Sequence, residues 1–173
     1  MIVYQQAFDL YHTMYRMIKL LAHFKYGEFV EIDRLRIWDY YLLYPNKMGL
    51  MKLKTTEKDV KTLIKEFIVR ERNPYELIIN DRKMFEKIKP YQLTAIKCLA
   101  SHGIINKDYL SLNRITPVDK DIFAKYAEDL QQLSAQEKNT ISLLTSHFYQ
   151  MPLNGDDGLK YKSSLLESKY DAQ

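Results

Sequence analysis

The chain has 173 residues, of which 46% are hydrophobic and 28% charged, with 14 tyrosines, 7 phenylalanines and a formal charge of +4. That length and apolar content suffice for one domain, or two small units packed together, and exclude a disordered chain or one needing metals or disulfides as staples. Its lone cysteine, Cys98 among Ile96, Leu99 and Ala100, excludes an intramolecular disulfide and reads as a buried small hydrophobe in a reducing compartment.

Ala7, Leu10, Tyr11, Met14, Met17, Ile18, Leu21 and Phe24 recur at spacings of three and four, which predicts an amphipathic helix over residues 6–24. A second stripe, Leu35, Trp38, Tyr41 and Leu42, predicts a helix over 32–44 that Pro45 stops. Residues 46–54 read as loop or brief strand. Thr56 with Asp59 resembles a capping box, and Val60, Leu63, Ile64, Phe67 and Ile68 follow with helical period. Asn73-Pro74 is the strongest internal break, and residues 75–79 are compatible with a strand or a helical turn.

A short helix is expected over 82–89, with Pro90 opening another that runs to His102. Gly103 in a left-handed conformation and Ile104 packed back would end it as a Schellman motif. Residues 109–113 read as a strand, with a second strand from 114–118 or elsewhere, the ingredients of a winged helix. Asp119 begins a stretch with Ile122, Phe123, Tyr126, Leu130 and Leu133 on one stripe, and Ser134 with Glu137 forms a capping box for a last helix to about Tyr149. From Pro152 the chain turns polar and reads as a flexible tail, with Leu159, Tyr161, Leu165, Leu166 and Tyr170 available to order on a partner. The expected organisation is a helical unit over 1–72, a winged-helix-like unit with two closing helices over 73–151, and the tail over 152–173. The fold class is mainly α with short β-strands.

No catalytic spacing is present in the sequence. His12, His23, His102 and His147 are dispersed, no thiolate cluster is possible, and the glycines form no phosphate-cradling loop, so no metal, no cofactor and no enzymatic activity are expected. No window approaches the ~20 apolar residues of a membrane span. The first residues also lack the basic run and apolar centre of a secretory leader, so cytoplasmic residence is expected.

Three polar groupings stand out. Asp9, His12 and Arg16 share one face of the first helix, read as an intrahelical network or a pair reaching a neighbouring helix. In the tract from Arg34 to Tyr41, Trp38 and Tyr41 fall on the core stripe, leaving Arg34 and Arg36 as surface contacts for DNA or a partner. Arg82, Lys83, Lys87 and Lys89 form a basic run with Glu86 alone opposing, suited to phosphate contact or to a solvated face.

The run from Tyr4 through Phe8, Asp9, Tyr11, His12, Thr13 and Tyr15 to Arg16, then Leu20-Leu21, and the run from Asp33 through Trp38, Asp39, Tyr40 and Tyr41 to Tyr44-Pro45 resemble the middle components of bacterial ABC-three-component systems. Related middle subunits occur in the Lamassu anti-phage and anti-plasmid defence systems. The resemblance implies an adaptor that binds an SMC-like ABC ATPase and links it to an effector, often a nuclease, with DNA reached through the complex. The helix-turn-helix and wing pattern also looks like the tandem winged-helix accessory subunits of SMC complexes. The competing expectation is a winged-helix DNA-binding transcriptional regulator, for which Gln92, Thr94 and Lys97 would supply a meagre reading head.

Overall fold

A computed structural model describes residues 5–25, 28–68, 80–129 and 133–166. Helix α1 spans Leu10–His23 after a 3-10 turn at Gln6–Phe8, and Asp9 caps it by accepting from the His12 backbone N–H at 2.8 Å. Strand β1 is Val30–Glu31 and leads straight into α2, Ile32–Leu43. Pro45 then opens a 3-10 helix, Pro45–Leu50, in place of the expected loop or strand. Helix α3, Lys58–Phe67, begins at Glu57 without the expected Thr56–Asp59 box; Glu57 instead accepts from the Lys54 backbone N–H at 2.7 Å.

The two helices expected on either side of Pro90 are one, α4, Asp81–Ser101. Proline removes one intrahelical donor, but Pro90 stands on the exposed side, while Phe85, Ile88, Gln92, Ala95, Ile96 and Leu99 continue an unbroken buried stripe through it. Tertiary packing carries the helix across the break. Its end is the anticipated Schellman motif: Gly103 has φ +70°, its N–H donates to Ala100 O at 3.1 Å, and the Ile104 N–H donates to Leu99 O at 2.9 Å.

The strand expected at 109–113 is instead a 3-10 helix, Lys107–Leu112. Asn106 caps it through the Asp108 N–H, and Asn113 closes it in the left-handed region at φ +58°. Strand β2 follows at Arg114–Ile115 and pairs antiparallel with β1, Val30 opposite Ile115. Beyond it the backbone turns to residues 104–106, with Asn106 N–H donating to Thr116 O at 2.8 Å and Val118 N–H to Ile104 O at 3.1 Å. Helix α5 is Lys120–Asp129; α6, Ala135–Leu143, carries the expected reciprocal Ser134–Glu137 capping box and runs on through a π turn at Leu144–Phe148.

Residues 152–166 correct the expectation of a flexible tail. They form a turn and helix α7, Leu159–Ser163, with Leu159 and Leu165 buried and the Lys162 carbonyl accepting from Lys52 N–H at 2.9 Å. The glycines here are turn chemistry: Gly155 has φ +88°, and a Cβ on Gly158 would lie 2.4 Å from Asn154 O. Tyr170 lies outside the described residues, as do the break at Asn73-Pro74 and the undecided stretch 75–79. One core joins both sides of that break, drawing Leu20, Leu35 and Trp38 together with Phe85, Leu144 and Leu159. The protein is mainly α with a single short two-stranded sheet among the described residues.

Candidate functional site

Charged side chains spaced three apart along α2, Asp33, Arg36 and Asp39, line up on one face, and that face points inward. Asp39 is fully buried and accepts from Arg16 of α1 through both carboxylate oxygens, at 2.6 and 3.3 Å, and from Gln92 Nε2 of α4 at 2.9 Å. Gln92 Oε1 in turn accepts from Arg36 Nε at 3.1 Å, and Arg36 Nη1 donates to Asp33 Oδ1 at 2.9 Å. Lys160 of α7 completes the chain with its ammonium 2.9 Å from Asp33 Oδ2. Burial acts to raise the Asp33 pKa, but Lys160 and Arg36 outweigh it and hold the carboxyl below its usual range.

Arg34 leaves the other side of α2. Its Nη1 donates to the carbonyls of Phe148 and Met151 at 2.8 and 2.9 Å, and its Nε to Glu31 at 2.7 Å. A helix end leaves carbonyls without intrahelical donors, and the planar guanidinium meets several of them at once. Beside it Tyr149 packs edge to face on Phe24 and Trp38, with Phe24 and Tyr149 centroids 4.7 Å apart. Tyr40 donates its hydroxyl to Asp81 at 2.8 Å, and burial together with that carboxylate pushes its pKa up.

These contacts correct two expectations. Arg34 and Arg36 are not surface contacts: they are 3% and 2% exposed, and their charges are used inside the protein. Gln92 is no reading-head residue, being fully buried between Arg36 and Asp39. Arg16 behaves as expected of a pair reaching a neighbouring helix, while Trp38 and Tyr41 are core as anticipated.

The remaining candidates lie outside. Arg82, Lys83 and Lys87 are exposed on α4, and Lys89 stands 4.0 Å from Glu86. Exposed apolar groups gather on two helices that pack together, Tyr11 and Tyr15 on α1 with Ile122 and Tyr126 on α5; Tyr11 is 80% exposed. The sequence pattern had placed Tyr11, Ile122 and Tyr126 on inward stripes. In α1 the buried face is rotated toward Thr13 and Arg16, because the Arg16–Asp39 pair draws polar residues inward and turns Tyr11 out. A cavity of about 160 Å³ between the Pro45–Leu50 turn and α3 has Met48, Met51, Ile64 and Ile68 in its lining and Lys61 and Lys65 beside them.

Among the described residues no three His, Cys, Asp or Glu side chains are grouped to hold a metal, and no helix is long and apolar enough to cross a membrane. The buried charges are spent on the protein's own architecture, and tyrosines and lysines stand exposed. The family of ABC-three component (ABC-3C) system Middle Component 5 matches residues 2–171, and the chain belongs to that family. Comparison with curated proteins and with solved structures gives no match.

Proposed function

We propose that this subunit is the non-catalytic adaptor of its three-component system, joining an SMC-like ABC ATPase to an effector, a nuclease in the simplest case, in cytoplasmic defence against phage or plasmid DNA. The observation that carries the reading is membership, over nearly the whole chain, in a middle-component family, which implies partner subunits. The surface is consistent with it. Tyr11, Tyr15, Ile122 and Tyr126 leave aromatic and aliphatic area uncovered on α1 and α5, the residue types that anchor protein interfaces.

Co-expression with the ATPase and effector encoded beside it tests the reading. A ternary complex is expected to co-purify, and Tyr11→Ser with Tyr15→Ser to weaken it at least ~30-fold, about the effect of losing one hot spot. Recovery of the chain free of both partners would refute the adaptor role.

The regulator reading keeps one point in its favour, the pairing of residues 104–106 with 116–118 and of β2 with β1 directly after a long helix, an order in keeping with a winged helix. Burial of Gln92 leaves Thr94 and Lys97 on the outward side of that helix, too few groups for base-edge discrimination.

A further inference from the structure

We propose that the outward stripe of α4 is a contact surface for the phosphate backbone of duplex DNA. Lys83, Lys87, Pro90, Thr94, Lys97 and Ser101 are all exposed. Their alternating spacings of four and three keep them within an arc of roughly 80° on a helix that turns ~100° per residue. The buried residues of α4 face the other way. At ~1.5 Å per residue, Lys83 and Lys97 stand ~21 Å apart along the axis.

Two features suit this stripe to a polyanion. It carries no carboxylate: Glu86 lies to one side and faces Lys89 at 4.0 Å. Nor do the ammonium groups of Lys83, Lys87 and Lys97 meet a hydrogen-bond or ion-pair partner among the described residues. Lys19, Lys47, Lys54, Lys160 and Lys162 are instead paired with Glu137, Asp81, Asp157, Asp33 and Glu57, while Lys58, Lys61 and Lys65 on α3 meet no such partner among the described residues either and so make a matched comparison.

The chemistry favours a nucleic acid over an acidic protein. A protein interface needs an apolar or aromatic centre shielded from water, and none of the large exposed hydrophobics among the described residues lies on α4. Ammonium groups spread along a line, with the Thr94 hydroxyl between them, suit a continuous polyanion, whose oxygens accept from such donors at every turn. With Gln92 turned inward, the contact is to phosphate and not to sequence. This inference does not depend on the adaptor reading, and its readout is separate.

Fluorescence anisotropy of a labelled duplex of about 30 base pairs with the full-length chain, between about 50 and about 200 mM salt, tests it. Lys83→Gln, Lys87→Gln and Lys97→Gln combined should lower the slope of log affinity against log salt by about 3, at roughly 0.9 per phosphate lost, and weaken binding at least ~10-fold. Lys58→Gln, Lys61→Gln and Lys65→Gln on α3 remove the same charge and should change affinity less than about threefold. Exposed substitutions of this kind alter stability by less than ~0.5 kcal/mol each; should the triple variant nonetheless misfold, each single variant should lower the slope by about 1. The proposal is overturned if the unaltered chain does not bind, if both triple variants lose affinity equally, or if the α4 variant keeps DNA and loses a protein partner instead.

Discussion

Helices α2 and α4 are both rich in charge and treat it in opposite ways. In α2, Asp33, Arg34, Arg36 and Asp39 turn toward the interior or its edge; in α4, Lys83, Lys87 and Lys97 turn to solvent. The difference follows side-chain chemistry. A guanidinium is planar, more weakly hydrated than an ammonium and able to serve several acceptors at fixed angles, so it can be buried where acceptors converge; the lysine ammonium is compact and strongly hydrated. Even in α2 the match has one gap, Arg36 Nη2, which is buried without a hydrogen bond while the guanidinium lies 4.6 Å from the Phe85 ring centroid. The lesson is that a basic residue between aromatics can be an internal bracket, whereas a plain amphipathic helix can offer the free charge.

That contrast can be broken at its strongest point by Asp39→Ala. It leaves the Arg16 charge buried and removes an acceptor from Gln92, so a loss of ~3–5 kcal/mol is expected. For a chain of this size that lowers Tm by roughly 10 °C. A loss below about 1 kcal/mol in urea denaturation would mean that the inward charges of α2 do not hold the fold. Leu159→Ala comes next, because fully buried Leu159 seats the helix that brings Lys160 to Asp33. A cost of ~2–5 kcal/mol is expected, and a change of a few tenths would return residues 152–166 to the status of a tail.

The smallest effect is an acid limb in the stability profile. Burial works to raise the pKa of Asp33, Glu57 and Glu137, but Lys160, Lys162 and Lys19 respectively outweigh it, so all three sit below ordinary values of 3.8 for Asp and 4.5 for Glu. With folded values depressed, the stabilisation is complete above those ordinary values and disappears as pH falls through the lower ones. Tm should therefore begin to fall as pH drops below 4.5, and Lys160→Met should flatten the Asp33 share of that fall. A Tm unchanged down to pH 3.8 in the unaltered protein, or an undiminished limb in Lys160→Met, would count against these pairs.

Local chemistry was legible in the sequence. The Schellman ending at Gly103, the Ser134–Glu137 box, and the core places of Trp38 and Tyr41 all depend on neighbours within a few positions. What the sequence hid depends on partners far along the chain. Pro90 looked like a boundary because the packing of the α4 stripe that overrides it is tertiary. Arg34 and Arg36 looked external because their acceptors come from Phe148, Met151 and Gln92. The polar composition after Pro152 resembled disorder, yet Leu153, Leu159 and Leu165 suffice to anchor it. The lysines of the α4 stripe were partly visible as a basic run, although splitting the helix at Pro90 separated Lys97 from Lys83 and Lys87.

The carbonyls that Arg34 grips belong to residues more than a hundred positions downstream, as do Glu137 for Lys19 and Lys162 for Glu57. A ribosome adding ~5–20 residues per second would leave the Lys19 ammonium and the Arg34 Nη1 group without these downstream acceptors for several seconds or more, until the closing segment emerges. The packing of the first two helices is therefore completed only by the closing segment. A message cut short before that segment should therefore yield a product for proteases, not a half-working subunit.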